Sequence, residues 1–424
     1  MPVMMATLRA LLDTIVKNIN SEYDHPTKGH HRPLTLQFDG EATPESPTIN
    51  AVGFQFEFDF DKQGTPCHCL MHCEEYKRKQ AKRFFDSTPE EINGAETPMI
   101  PGSVLTKTDS PNDDEEKRAV AKKYPGNYHE YAGAVLFGIN GCGPQYMAGM
   151  SQLGRFANNP GMEAWAGMNR LMKTWLSKPK EGVHAMRQMD EFLKNRAFSS
   201  FDSAFACKKE MLEYLVTLDI TLAYPRMAGV TCMNQMPVCF FSSRDKAVSD
   251  CTTDAETKAL HYGSSNCNQF VLKLLSYLTP SDASIEWEFT PPQAHDGTPI
   301  LTEQDNRGCV KFAFNPVVQG KMTNKCVSMA FIRESIDLHR LLPFQVPSGQ
   351  MVSNVMTKNE TAPVFKRQSA MLTGLIPWES LGTMQDEYKP VWCKFCCTSD
   401  TDSQFDRHGK RWIAVCNLCQ GIVV

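Results

Sequence analysis

The stretch Tyr214-Leu-Val-Thr-Leu-Asp219-Ile-Thr-Leu222 is an apolar, β-branched run broken by one carboxylate. Its composition predicts a strand over 214–224, and a carboxylate inside a strand is costly unless something cationic meets it. Further strand-like runs follow at 230–233 and 238–241, then a long helix near 253–278. Strands near 285–289 and 299–305, helices at 307–314 and 321–337, a strand Leu341-Leu-Pro-Phe-Gln-Val346 and a short helix around 352–358 complete the series. Strands followed by alternating helix and strand predict an α/β domain with a mixed sheet. Upstream, Phe54-Gln-Phe-Glu-Phe-Asp-Phe-Asp61 alternates strictly, as a half-buried strand does. Residues 86–127 read as a loop or linker, and residues 128–176 and 185–213 as helical. Met162, Trp165, Met168, Leu171, Met172, Trp175 and Leu176 recur at helical spacing, which is the pattern of a packed core.

Two more acids occupy comparable places. Glu256 opens a helical stretch after Cys251-Thr-Thr-Asp-Ala, and Asp305 follows Pro299-Ile-Leu-Thr-Glu-Gln. Three carboxylates that converge suggest a divalent-metal site. The 424 residues suffice for two or three cores, and a net charge of −4 gives no global field for nucleic acid. Such binding needs a local basic patch, and Lys77, Arg78, Lys79, Lys82 and Arg83 form the best one, unless they are simply a solvated helix face. The first residues are too short an apolar run for a secretory signal and no segment is long enough to span a membrane. The expectation is an intracellular protein, in a cytoplasmic particle or the nucleus, with its sixteen cysteines mostly reduced.

Cys393-Lys-Phe-Cys396 and Cys416-Asn-Leu-Cys419 carry the spacing of a zinc ribbon or knuckle, with nineteen residues between the pairs. Such a closed site is structural; His408 and Cys397 are further thiol or imidazole groups nearby. Arg407, Lys410, Arg411 and Trp412 in its loop have the chemistry to contact nucleic acid. Cys67-His-Cys-Leu-Met-His-Cys73 also looks metal-like, but on a strand its alternate residues point to opposite faces.

Four ordered blocks resemble the C-terminal part of a copia-type LTR retrotransposon polyprotein. Tyr131-Ala-Gly-Ala-Val-Leu-Phe and Gly143 through Trp165 are similar to the block that closes its reverse transcriptase. Met236 through Leu260 is similar, without a gap, to a block ending "STEAEYxAL". Asp305-Asn-Arg-Gly through Phe331-Ile-Arg-Glu resembles "DNxGA…HFIRE", and Asn354-Val-Met-Thr-Lys358 resembles "DxLTK". The match spans about residues 50–360.

The resemblance implies a reverse-transcriptase palm and thumb remnant over 1–115, a helical thumb or connection over 116–205, an RNase-H-like domain over 206–370 and a zinc module over 385–424. It implies Asp219, Glu256 and Asp305 as Mg²⁺ or Mn²⁺ ligands, with Asn354, or its neighbour Ser353, where the family has a fourth acid. An amide brings no charge, so a second ion binds more weakly. The segment from Asp219 to Gly229 is shorter than the family's; matching Met227-Ala-Gly to its "WAG" instead moves the first aspartate onto Tyr224. The implied activity is cleavage of RNA in RNA–DNA hybrids, with other element-encoded proteins as partners and no membrane. The paired-aspartate turn of the polymerase is absent, so no independent DNA polymerase is expected. The competing expectation is a decayed or retained non-enzymatic protein that binds nucleic acid or protein.

Overall fold

The alternation of Phe54-Gln-Phe-Glu-Phe-Asp-Phe60 sends aromatics to one face and polar groups to the other, and it builds the first of two large sheets. Strands β1 (Thr48–Ala51), β2 (Phe54–Phe60), β3 (Pro66–His72) and β4 (Val183–Met186) lie in that order, all antiparallel. Phe54 stacks on Phe137 with ring centroids 5.4 Å apart, joining the sheet to a helical body. That body comprises α1 (Glu74–Phe85), α2 (Asp114–Lys123), α3 (Tyr128–Cys142), α4 (Met147–Gly154) and α5 (Met162–Leu176). The α5 stripe of Trp165, Met168, Leu171, Met172, Trp175 and Leu176 is buried at its centre, as the spacing predicts. The computed structural model describes residues 42–187, 197–278, 299–314, 326–338, 340–380, 403–408 and 411–416.

The second sheet is mixed. Its strands β5 (Ala197–Ala204), β6 (Arg226–Met233), β7 (Met236–Arg244), β8 (Ile300–Gln304) and β9 (Leu341–Gln345) run in the order β7-β6-β5-β8-β9. β5, β6 and β7 form an antiparallel meander, whereas β8 pairs parallel with both β5 and β9. The helices are α6 (Lys208–Thr217), α7 (Thr252–Gly263), α8 (Gln269–Leu278), α9 (Arg307–Phe314), α10 (Cys326–Asp337), α11 (Asn354–Thr357) and α12 (Ala362–Leu372). A π turn, Ser264–Asn268, joins α7 to α8, so the long helix expected near 253–278 is continuous but locally widened. Phe198, Leu301, Met356 and Phe365 pack on one face of the sheet, and Phe201, Leu260, Cys309 and Ile332 on the other. The α/β class with a mixed sheet is therefore as expected. Strands β10 (Ser403–His408) and β11 (Arg411–Cys416) pair as a separate antiparallel hairpin.

Four expectations are corrected: residues 86–127 are not all loop, because they carry α2. The run 214–224 is not a strand: it is the end of α6 and a short 3₁₀ helix, Ile220–Ala223. The region 185–213 is not one helix, because it contains β4, β5 and the start of α6. β5 is the central strand of the mixed sheet and lies on the N-terminal side of the boundary expected at 206. The strand expected near 285–289 and the pair Cys393 and Cys396 lie outside the described residues, as does Cys419.

The sheet holds β5 tightly because α7 and β6 both present glycine to Phe201. A Cβ on Gly263 would meet Phe201 Cδ1 at 2.2 Å, and one on Gly229 would meet the same atom at 2.1 Å. Gly263→Ala is expected to cost about 2 kcal/mol by overpacking, read as a lowered urea midpoint with an unchanged slope.

Candidate metal centre

β5 and β8 run parallel with Ser200 opposite Glu303. Two residues further on, Asp202 and Asp305 therefore come side by side at the C-terminal edge of the sheet. α7 packs across β5 and brings Glu256, in its second turn, to the same point. One carboxylate oxygen from each of Asp202, Glu256 and Asp305 lies within 4.8 Å of the others. Asp202 and Glu256 are buried, and Asp305 is half-buried.

Asp202 Oδ2 accepts a hydrogen bond from Thr357 and sits 3.5 Å from Lys358 Nζ. Its other oxygen, Oδ1, and Glu256 Oε2 are buried with no hydrogen-bond partner. Orphaned carboxylate oxygens are rare because each costs its full desolvation. Burial pushes the Asp202 carboxyl above the usual range, against the pull of Lys358. Burial, then Asp202 and Asp305, push Glu256 well above it. An all-oxygen set with this surplus of negative charge fits a hard divalent ion such as Mg²⁺ or Mn²⁺.

The surrounding shell is polar and buried. Ser199 Oγ and Thr302 Oγ1 are 2.7 Å apart, and Ser200 Oγ and Ser353 Oγ 2.8 Å apart. Glu303 accepts from Ser380 and from Val352 N, and burial pushes its carboxyl up to about 7. Asn306 Oδ1 accepts from Cys309 N at 3.0 Å, capping α9 directly behind Asp305.

Of the residues expected from sequence, Glu256 and Asp305 come together and Asn354 lies beside them. Asn354 Oδ1 accepts from Lys358 Nζ at 2.7 Å, and its amide donates to Ser348 O at 2.5 Å. Asp219 is elsewhere: it caps the 3₁₀ helix through Thr221 and pairs with Lys107 Nζ at 2.7 Å. Its place in the acidic group is taken by Asp202, which the sequence reading missed. The available signal was Phe198-Ser-Ser-Phe-Asp202, two aromatics and an acid among small polar residues, without the alternation that marks a strand.

Four of the five basic residues of α1 are engaged locally, and Lys79 is exposed. Lys77 is buried and donates to Lys178 O and Glu181 O at 2.7 and 3.1 Å. Arg78 binds Glu74 and Glu90, Lys82 binds Asp86, and Arg83 binds Glu130. A second group, Glu57, His72 and Glu74, has metal-like proximity. Here, however, His72 Nδ1 accepts from Glu74 N at 3.2 Å, which puts the ring proton on Nε2, 3.1 Å from Glu57. Lys180 and Arg78 pair with the two glutamates, so both carboxylates of this group are already engaged by cations. Cys73 meets Cys142 in the core, and Cys67 donates to Asp59 O; the cysteines of β3 do not converge. No helix among the described residues is long and apolar enough to cross a membrane.

No family model matches the sequence, and no curated protein matches it.

Proposed function

We propose that the mixed-sheet domain is an RNase-H-like, metal-dependent endonuclease from the C-terminal part of a copia-type polyprotein. The observation that carries the reading is the convergence of Asp202, Glu256 and Asp305, with two buried oxygens lacking partners, at the C-terminal edge of parallel strands β5 and β8. The strand order β7-β6-β5-β8-β9, with one antiparallel meander and two parallel additions, supports the same fold.

Asp202, Glu256 and Asp305 would hold Mg²⁺ or Mn²⁺, which supplies neutralisation of phosphate charge and a lowered pKa for attacking water. Asp202 and Glu256 are fixed by a packed strand and helix, so the ligand atoms need little rearrangement. Hydrolysis forms a bond from water oxygen to phosphorus and breaks a phosphorus–oxygen ester bond, the departing oxygen taking up a proton. The site chemistry supports phosphodiester hydrolysis; the hybrid substrate follows from the family resemblance alone. Cys393, Cys396, Cys416 and Cys419 are proposed to hold a structural zinc, checked by the zinc content of the purified chain.

The test is cleavage of a labelled RNA–DNA hybrid in Mg²⁺ or Mn²⁺ beside an Asp305→Ala control. Cleavage by the chain and none by the control is expected; equal or absent cleavage overturns the reading. A second reading, a non-enzymatic binding protein, is favoured by one observation, the Lys358 cation already among the acids. It predicts hybrid binding without cleavage.

A further inference from the structure

The ions of a two-metal site sit about 4 Å apart, and a carboxylate that spans them with one ion on each oxygen needs both oxygens free. Asp202 does not offer both. Its Oδ2 is engaged by Thr357 and by Lys358, whose Nζ is 3.5 Å away, while only Oδ1 is free. Lys358 is itself held by Asn354 Oδ1 at 2.7 Å, on the side where a fourth acid would otherwise stand.

We propose that Lys358, seated by Asn354, occupies the place of a second cation, so that this centre takes one divalent ion on Asp202 Oδ1, Glu256 Oε2 and Asp305. The inference rests on the metal-site reading above. It does not rest on acid clustering alone, because two buried oxygens in the cluster lack partners while the oxygen facing the lysine does not. Lys358 acts through Asp202 and is a positioning residue. Its charge limits how many ions enter and how tightly the first is held.

The experiment is a Mn²⁺ titration of the full chain followed by electron paramagnetic resonance, with binding to Asp305→Ala subtracted. The expected result is one ion per chain. Lys358→Gln should tighten that ion by about ten-fold, the effect of removing one positive charge from a partly hydrated site. The double variant Asn354→Asp/Lys358→Gln should bind two ions. Two ions on the unaltered chain, or unchanged affinity in Lys358→Gln with unchanged stoichiometry in the double variant, overturns the inference and leaves the nuclease reading standing. No specific ion on the unaltered chain overturns both. One ion without hybrid cleavage keeps this inference and removes the nuclease reading.

Discussion

Asp202→Asn should abolish hybrid cleavage, by on the order of 10³-fold or more, while raising the thermal stability of the metal-free chain. The loss follows from removing a proposed metal ligand, and a thousand-fold is about 4 kcal/mol of transition-state stabilisation. The gain follows from the same geometry. Asp202 lies within reach of two further carboxylates and has an oxygen without a partner, so in the absence of an ion its charge opposes folding. An amide relieves that repulsion and keeps the acceptor for Thr357. Asp219→Asn is the matched control: its carboxylate serves a surface cap and the Lys107 pair, so activity should stay within two-fold. Measuring both variants by cleavage rate and by thermal melting separates a functional site from a merely buried acid. If Asp202→Asn retains cleavage, or Asp219→Asn loses it, the assignment is wrong.

Glu303→Gln should flatten the pH dependence of stability. Glu303 is fully buried, and burial lifts its carboxyl from the ordinary 4.5 to about 7. Between those values the unfolded chain releases the proton and the folded chain keeps it. Stability therefore falls as pH rises from about 4.5 and levels off above about 7. The difference corresponds to about 3 kcal/mol lost by pH 8 relative to pH 4. Glutamine mimics the neutral acid, donating toward Ser380 and accepting from Val352 N. Urea denaturation at pH 4 and pH 8 should find the variant close to the parent at the low pH and about 3 kcal/mol more stable at the high one. Equal differences at both pH values would mean that Glu303 is ionised in the folded chain. Asp202 and Glu256 add a slope of the same sign, since both are raised as well. Saturating Mn²⁺ should remove that part, because an ion binds only their charged forms.

The legible parts of the chain are those whose burial is apolar. β2 and α5 were readable because alternation and helical spacing map directly onto one packed face. β5 was not, because its burial is polar: Ser199, Ser200 and Asp202 are buried through hydrogen bonds to Thr302, Ser353 and Thr357. No hydrophobic period marks such a strand. α6 failed for the opposite reason. Its buried residues are Glu210 and Glu213, and Glu210 is held by Arg226 and Arg244. Leu215, Val216 and Leu218 are 67%, 85% and 76% exposed. This inverted amphipathicity makes a surface helix read as an interior strand, and it is why Asp219 stood in for Asp202. Glu256 and Asp305 were placed by the resemblance of the blocks that contain them, and the structure sets them in the second turn of α7 and just past the end of β8.

One divalent ion is proposed to belong among Asp202, Glu256 and Asp305. Crystals grown or soaked in Mn²⁺ test it through anomalous scattering. The expected result is a single strong peak within coordination distance, about 2.0–2.6 Å for hard cations, of Asp202 Oδ1, Glu256 Oε2 and an Asp305 oxygen, with Lys358 still against Asp202 Oδ2. No peak there, or a peak at Asp219, would contradict the claim.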